Sequence, residues 1–429
     1  MTGSRARSRR TLATVAKSVA AVAAATVIAL AGATPAHADT VRDLEYWLAD
    51  YGFTTAWNSS RGEGVTVAVI DTGVVGDVAE LRGAVVGGTD VSGLGSPDGQ
   101  TPVGVDPNHG TMVASLLAGR GSGEGDGVIG IAPEADLLTA SVAFGQDTGT
   151  EKSTDDQIAE AVRWAVDSGA DVINMSLTRN TRDWPKSWDD AFMHAFENDV
   201  VVVAAAGNRG SGTSEVGAPA TIPGVLTVAG VDRDKNASFD ASSQGITIAV
   251  AAPSEDLVGV LPDGRYVQWS GTSAAAPIVS GLVALIRSEY PELDAANVIE
   301  RLIRTADPNG HDVPSPLYGW GIIDPVAALT AEVPEVDASP LESLAEWITI
   351  HRRADAPEPT ETSEEQEIVP IADPPLPRSD EAQTLLPTAW TLAYITVPLS
   401  LVAGFGTLGA LLGIGAARHS RRTVRDREQ

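Results

Sequence analysis

The chain has 429 residues, 43% of them apolar, and contains no cysteine. That composition supports a sizeable core and excludes disulfides, thiolate zinc sites and cysteine nucleophiles together. The net charge of −28 is unevenly spread: residues 39–417 hold 19 basic and 55 acidic side chains, a net of −36, which repels nucleic acid and favours solubility.

At the N-terminus, Arg5, Arg7, Arg9, Arg10 and Lys17 precede an apolar run from Ser18 to Ala33. Ala36-His37-Ala38 then places small residues around a cleavage site, so residues 1–38 are expected to be a secretory signal peptide cut before Asp39. The twin Arg in "SRRTLATVAK" lacks a following Phe, which leaves general and twin-arginine export both open. Residues 39–62 carry Trp47, Leu48 and Trp57, and are expected to pack as an N-terminal extension on the domain that follows.

Residues 63–330 alternate between strand and helix patterns. "GVTVAVI" (64–70), "DLLTASVAF" (136–144), "DVINMSL" (171–177), "VVVVAAAG" (200–207) and "GVLTVAGVD" (224–232) are continuous apolar runs that suit strands covered on both faces. Between the second and third, "TDDQIAEAVRWAVDSG" opens on a capping box of Thr154 and Gln157. Ile158, Ala161, Val162, Ala165 and Val166 then recur at helical spacing, the pattern of a crossover between parallel strands. The expected fold is α/β: a mostly parallel twisted sheet with helices on both faces and a site at the carboxyl ends of the strands. "GRGSGEGDG" (119–127) reads as a flexible loop, since it lacks the Lys and Ser/Thr of a phosphate cradle.

Residues 331–388 turn rich in Pro and Glu and read as an extended linker, mostly disordered, with "PLESLAEWITIH" as a short helix inside it. Residues 389–417 carry no charge and are long enough for a transmembrane helix, with Trp390 and Tyr394 near the start. Five Arg in residues 418–429 then predict a basic cytoplasmic tail. The G-x-G-x-x-G at Gly404, Gly406 and Gly409 follows no strand and is no dinucleotide site; Gly409 and Gly413 instead form a G-x-x-x-G suited to close helix approach.

Chemistry-bearing residues gather where the elements end. "VAVIDTGV" delivers Asp71 at the end of the first strand run, and "VVAAAGNRG" delivers Asn208 at the end of another. Of six histidines, His37 leaves with the signal peptide, while His351 and His419 fall in the linker and the tail. His194 sits on an amphipathic helix and His311 in a turn, which leaves His109, where the loop of "PNHGTMVASLLAG" enters an apolar helix. Ser273, in "QWSGTSAAAPIVSGLVALI", begins a second apolar helix beside free backbone N–H groups and a positive dipole end. Pro277 removes the N–H that would otherwise bond the Ser273 carbonyl.

In chain order the fragments are Asp71 in D-T-G-V, His109 in N-H-G-T, Asn208 in A-A-G-N and Ser273 in S-G-T-S-A-A-A-P. Together they resemble the subtilisin-like serine proteases (peptidase family S8) over residues 62–327. The resemblance implies a serine endopeptidase with an acyl-enzyme intermediate. Ser273 would be the nucleophile, His109 the general base, Asp71 the group that orients it, and the Asn208 amide a donor to the oxyanion. It also implies that Met175-Ser176-Leu177 pairs with the substrate backbone, with Ala140-Ser141-Val142 near the other side. Gly217-Ala218-Pro219-Ala220 would line the pocket for the residue before the cut.

The short N-terminal extension, linker, single C-terminal span and basic tail further resemble the mycosins, membrane-anchored subtilisin-like proteases of type VII secretion in actinobacteria. That resemblance implies polypeptide substrates and a type VII secretion membrane complex as partners, with no nucleic acid. The protein would be a single-pass protein of the cell membrane, its catalytic domain extracellular. A mainly structural component of that complex and a general cell-surface subtilase are the alternative readings. No cofactor is required and no metal ligand is assigned; structural calcium is common in the family, but no D-x-D-x-D-G loop names a site.

Overall fold

The computed structural model describes residues 41–123, 125–145 and 149–352. The expected signal peptide, the expected linker beyond 352, the charge-free run at 389–417 and the expected cytoplasmic tail lie outside them. Among the described residues no helix is long and apolar enough to cross a membrane.

The five apolar runs form the middle of a sheet. They are β1 (Thr66–Asp71), β3 (Asp136–Ser141), β4 (Val172–Met175), β5 (Val201–Ala205) and β6 (Leu226–Val231). With β2 (Val85–Asp90) and β7 (Ile248–Pro253) they make seven parallel strands in the order β2-β3-β1-β4-β5-β6-β7. From β1 the chain first builds outward through β2 and β3, then returns to β1's other side with β4. The connections therefore diverge between β1 and β4, and ligands bind outside the carboxyl ends at such a switch point. A hairpin of β8 (Leu257–Val260) and β9 (Tyr266–Trp269) stands apart from this sheet.

The helices are α1 (Tyr46–Asp50), α2 (Phe53–Ala56), α3 (His109–Ala118), α4 (Thr154–Asp167), α5 (Lys186–Glu197), α6 (Thr272–Glu289), α7 (Ala295–Thr305), α8 (Pro325–Thr330) and α9 (Leu344–His351). α3 packs with α6, and α4 with α5, which covers the two faces of the sheet. α6 is buried on every side from Ala274 to Ile286, the mark of a core helix. α4 starts one residue earlier than the sequence suggested. Its cap is Ser153, whose Oγ accepts the Asp156 N–H at 3.1 Å, while Thr154 donates to the Ala143 carbonyl at 3.3 Å. Gln157 is drawn inward instead, accepting the Ala143 N–H at 2.9 Å.

The N-terminal extension is part of the core. Trp47 and Phe53 are fully buried, and Trp57 Nε1 donates to the Ile131 carbonyl at 2.7 Å. Arg42 reaches the carbonyls of Gly127 and Asp126 at 3.1 and 3.0 Å, pinning the glycine-rich loop of residues 119–127.

The chain also stays on the fold past residue 330, where the composition suggested a tether. Asn297 and Val336 exchange two hydrogen bonds at 2.7 and 3.2 Å. Ser343 caps α9 through the Glu346 N–H, and Trp347 then meets Trp184 with ring centroids 4.5 Å apart. These two aromatic rings, with Arg352 Nε 2.9 Å from Asp189 Oδ2, hold the segment in place despite the composition around them.

Candidate active site

Asp71 ends β1, and the following D-T-G interlocks with the H-G-T that opens α3. The Gly110 N–H donates to Thr72 Oγ1 at 3.1 Å, and the Val75 N–H donates to Thr111 Oγ1 at 3.1 Å. Gly110 passes so close to Gly73 that a Cβ on it would lie 2.4 Å from the Gly73 carbonyl oxygen. Only glycine permits that approach, and it carries His109 over the strand end.

His109 Nδ1 stands 2.9 Å from both carboxylate oxygens of Asp71. The carboxylate is buried and is itself held by the Thr72 N–H at 2.7 Å and the Thr72 hydroxyl at 3.3 Å. Donation from Nδ1 selects the tautomer whose Nε2 keeps a lone pair. Burial favours the neutral ring, but the Asp71 charge and hydrogen bond, with help from Asp106, outweigh it and raise the His109 pKa above the usual histidine value. Trp269, at the end of β9, packs edge-on to the imidazole with centroids 5.7 Å apart. Nothing in the sequence signals that contact, because it depends on how the β8–β9 hairpin folds back.

Ser273 is the second residue of α6, so its N–H has no intrahelical acceptor. Its hydroxyl donates to the Ser176 carbonyl at 3.1 Å, and among the described residues no hydrogen bond joins it to His109. Asn208 follows β5 and faces the same turn. Its Oδ1 accepts the Thr272 N–H at 2.8 Å and the Thr272 hydroxyl at 2.9 Å. Two donors on one atom identify it as the oxygen and turn the amide NH2 the other way. The fit is close: a Cβ on Gly271 would lie 2.9 Å from Asn208 Nδ2, and Gly271 has a φ of +152°. The Gly207 N–H in turn donates to Thr272 Oγ1 at 3.0 Å.

The remaining sequence-predicted positions fall around this turn. Ser176 follows β4 and is buried against Ser273. Among the described residues the backbone of Leu177 makes no hydrogen bond, which leaves its N–H and C=O free to pair with an extended chain. Ala218 and Pro219 are buried, and the Ala218 backbone pairs with Arg179 and Thr181 at 2.7 and 2.9 Å. Ala140-Ser141-Val142 offers no free edge for a substrate backbone. β3 lies between β2 and β1, and the Val142 N–H already donates to the Asp71 carbonyl at 2.8 Å. Among the described residues no cluster of three or more His, Asp or Glu is arranged to hold a metal ion.

The Subtilase family model matches residues 62–321, well over half of the chain. The chain belongs to the subtilase family. It is 38% identical over 273 residues to subtilisin DY of Bacillus licheniformis, which spans 62% of this chain and 92% of that protein. Among solved structures, the MycP3 protease from the type VII (ESX-3) secretion system superposes with a TM-score of 0.57 at 36% identity, covering 67% of this subtilase and 88% of that chain. The periplasmic assembly from the ESX-5 inner membrane complex contains a chain that matches with a TM-score of 0.58 at 30% identity, covering 69% of this subtilase and 86% of its own length. This subtilase is therefore a subtilisin-like serine endopeptidase whose structural neighbours include the mycosins.

Proposed function

We propose that Ser273, His109 and Asp71 form the catalytic triad of a membrane-anchored extracellular endopeptidase, with Asn208 as oxyanion donor. The observation that carries this reading is the Asp71–His109 contact at 2.9 Å, which commits Nδ1 to the carboxylate and leaves Nε2 to act as the base.

In the reaction the Ser273 hydroxyl swings from the Ser176 carbonyl to His109 Nε2. Its proton passes to Nε2 as Oγ bonds the scissile carbonyl carbon, and Asp71 balances the new imidazolium. The Asn208 amide and the Ser273 N–H hold the oxyanion, supported by the N-terminal end of α6. The imidazolium then returns its proton to the leaving amine as the C–N bond breaks. Water repeats the sequence on the acyl-enzyme. Substrate lies extended along Leu177, its residue before the cut directed towards Ala218 and Pro219.

A fluorophosphonate probe tests the assignment. It should label the wild-type chain at Ser273, and both Ser273→Ala and His109→Ala should abolish labelling. Undiminished labelling of the Ser273→Ala chain would overturn it.

The charge-free run at 389–417, the signal-peptide pattern of residues 1–38 and the likeness to the mycosins support a location on the outer face of the membrane and a role in processing substrates of a type VII secretion system. The neighbour within the ESX-5 periplasmic assembly favours a second, compatible reading as a structural component of such a complex. Secretion that persists in Ser273→Ala cells but fails on deletion would favour that second role.

A further inference from the structure

The segment from Leu177 to Pro185 contains no helix or strand. Its near end follows Ser176, which is bonded to Ser273. Its middle is sewn to the wall at 218–221: the Arg179 N–H donates to the Ala218 carbonyl at 2.7 Å, the Ala218 N–H to the Thr181 carbonyl at 2.9 Å, and Thr221 Oγ1 to the Arg182 carbonyl at 2.7 Å. Both sides of the proposed substrate cleft therefore depend on this one loop.

The loop's far end is held from an unexpected quarter. Trp184 Nε1 donates to Asp189 Oδ1 at 2.7 Å, and the Trp184 ring rests against Trp347 of α9. Arg352 closes the group: its Nη2 donates to the Trp184 carbonyl at 3.1 Å, and its Nε lies 2.9 Å from Asp189 Oδ2. The Arg352 guanidinium also lies over both indoles, 5.8 Å from the Trp184 ring centre and 5.3 Å from that of Trp347. The Asp189 side chain is only 5% exposed. A carboxylate so buried needs a cation, and among the described residues Arg352 is the one within ion-pair distance. Without it the carboxylate must move towards water, and Trp184, hydrogen-bonded to it, moves as well.

We propose that Arg352 and Trp347 form a clasp that positions the substrate-binding loop, so that residues beyond the matched protease domain set how tightly peptide is bound. Arg352 touches no reacting atom; it is a positioning residue acting through Trp184. The proposal rests on the reading of Ser273 and Leu177–Ala218 as nucleophile and cleft.

The test uses the full chain and an internally quenched peptide that the wild type cleaves, chosen by library profiling. Arg352→Ala and Trp347→Ala should each raise KM about tenfold while kcat changes less than about twofold, the signature of lost binding without lost chemistry. Arg352→Lys should recover part of the KM. Hydrogen exchange should quicken at the hydrogen-bonded amides of Arg179 and Ala218 and stay slow within α6. Wild-type KM in both Ala variants overturns the clasp, as does faster exchange throughout α6, which marks general unfolding. Cleavage by the wild type with an unshifted KM in the variants counts against the clasp alone. A wild-type chain that neither cleaves nor takes a fluorophosphonate counts against the protease reading, and exchange at the Arg179 and Ala218 amides then still decides whether the clasp holds the loop.

Discussion

Ser176 and Ser273 exchange hydrogen bonds: Ser176 Oγ donates to the Ser273 carbonyl at 2.8 Å, and Ser273 Oγ donates to the Ser176 carbonyl at 3.1 Å. The first bond repairs a defect written into the sequence. Pro277 lies four residues beyond Ser273 inside α6 and has no N–H to offer. Ser176 supplies the missing donor from the end of β4. A chain of side chains extends the tie, with Asn174 Nδ2 donating to Ser176 Oγ at 3.0 Å and Ser280 Oγ donating to Asn174 Oδ1 at 2.9 Å. The start of α6 is thereby fixed to the strand from which the cleft loop departs.

Ser176→Ala should accordingly cost about 1–3 kcal/mol, the price of leaving buried partners unsatisfied. Urea unfolding measures it. Pro277→Ala restores a backbone donor to the Ser273 carbonyl, so the same substitution should cost less in that background. A double-mutant cycle with no coupling between the two would show that the carbonyl had found another partner.

The Asn208 amide presents its NH2 only because Thr272 occupies its oxygen twice. Asn208→Ala should lower kcat by about 10²–10³-fold, in line with the loss of one oxyanion donor elsewhere, and change KM little. Thr272→Val keeps the backbone donor and removes only the hydroxyl, so its kcat should fall by less. A Thr272→Val loss as deep as that of Asn208→Ala would mean that the hydroxyl alone sets the amide's orientation.

The pair of Asp71 and His109 sets the pH dependence. The raised His109 pKa means that the protonated, inactive ring persists to higher pH than in an ordinary histidine. The acid limb of kcat/KM should therefore lie above about pH 6.5. Asp71→Asn should move that limb down and cut kcat by about 10⁴, the loss expected when the imidazole is held in the wrong tautomer. The stability linked to His109 has the corresponding sign: it is complete below the unfolded histidine pKa and lost as pH rises through the folded one. Denaturation of the Ser273→Ala chain across that window separates this effect from autolysis.

Legibility followed the range of the interactions. β1, β3, β4, β5 and β6 were visible because both faces are buried, which leaves an unbroken apolar run. β2 was not, because it is a half-buried edge with Gly87 and Gly88 in it. β7 is fully buried, but its Ala-rich IAVAAP carries no period that separates strand from helix. Asp71, His109, Asn208 and Ser273 were readable because each stands at an element boundary in a short fragment with its glycine beside it. The proposed clasp was not readable, since Arg352 meets Asp189 across 163 positions and stands in a stretch whose Pro- and Glu-rich composition reads as a linker. Trp269 against His109 failed for the same reason: nothing local to β9 announces where its side chain will land.

Glu45 carries the last prediction. It lies in the N-terminal extension, its side chain shut off from solvent, with Arg42 Nε 3.0 Å away and the Ile129 N–H at 3.0 Å. Burial dominates, reinforced by the nearby Glu80 and only partly offset by Arg42 and the Ile129 N–H, and pushes the carboxyl up to about 8 from the ordinary 4.5. Arg42 is mostly buried and also donates to the Gly127 and Asp126 carbonyls, so its charge is shared and offsets the burial only in part. Between those two values the unfolded chain has released a proton that the folded chain still holds, so this group's contribution to stability falls as pH rises. Glu45→Gln keeps the shape and removes the titration. The wild type should lose stability relative to Glu45→Gln from about pH 4.5 to about pH 8, after which the difference levels off. Urea midpoints across that range, in the Ser273→Ala background, give the curve. Parallel curves would mean that Glu45 is ionised in the fold and that its pairing with Arg42 outweighs burial.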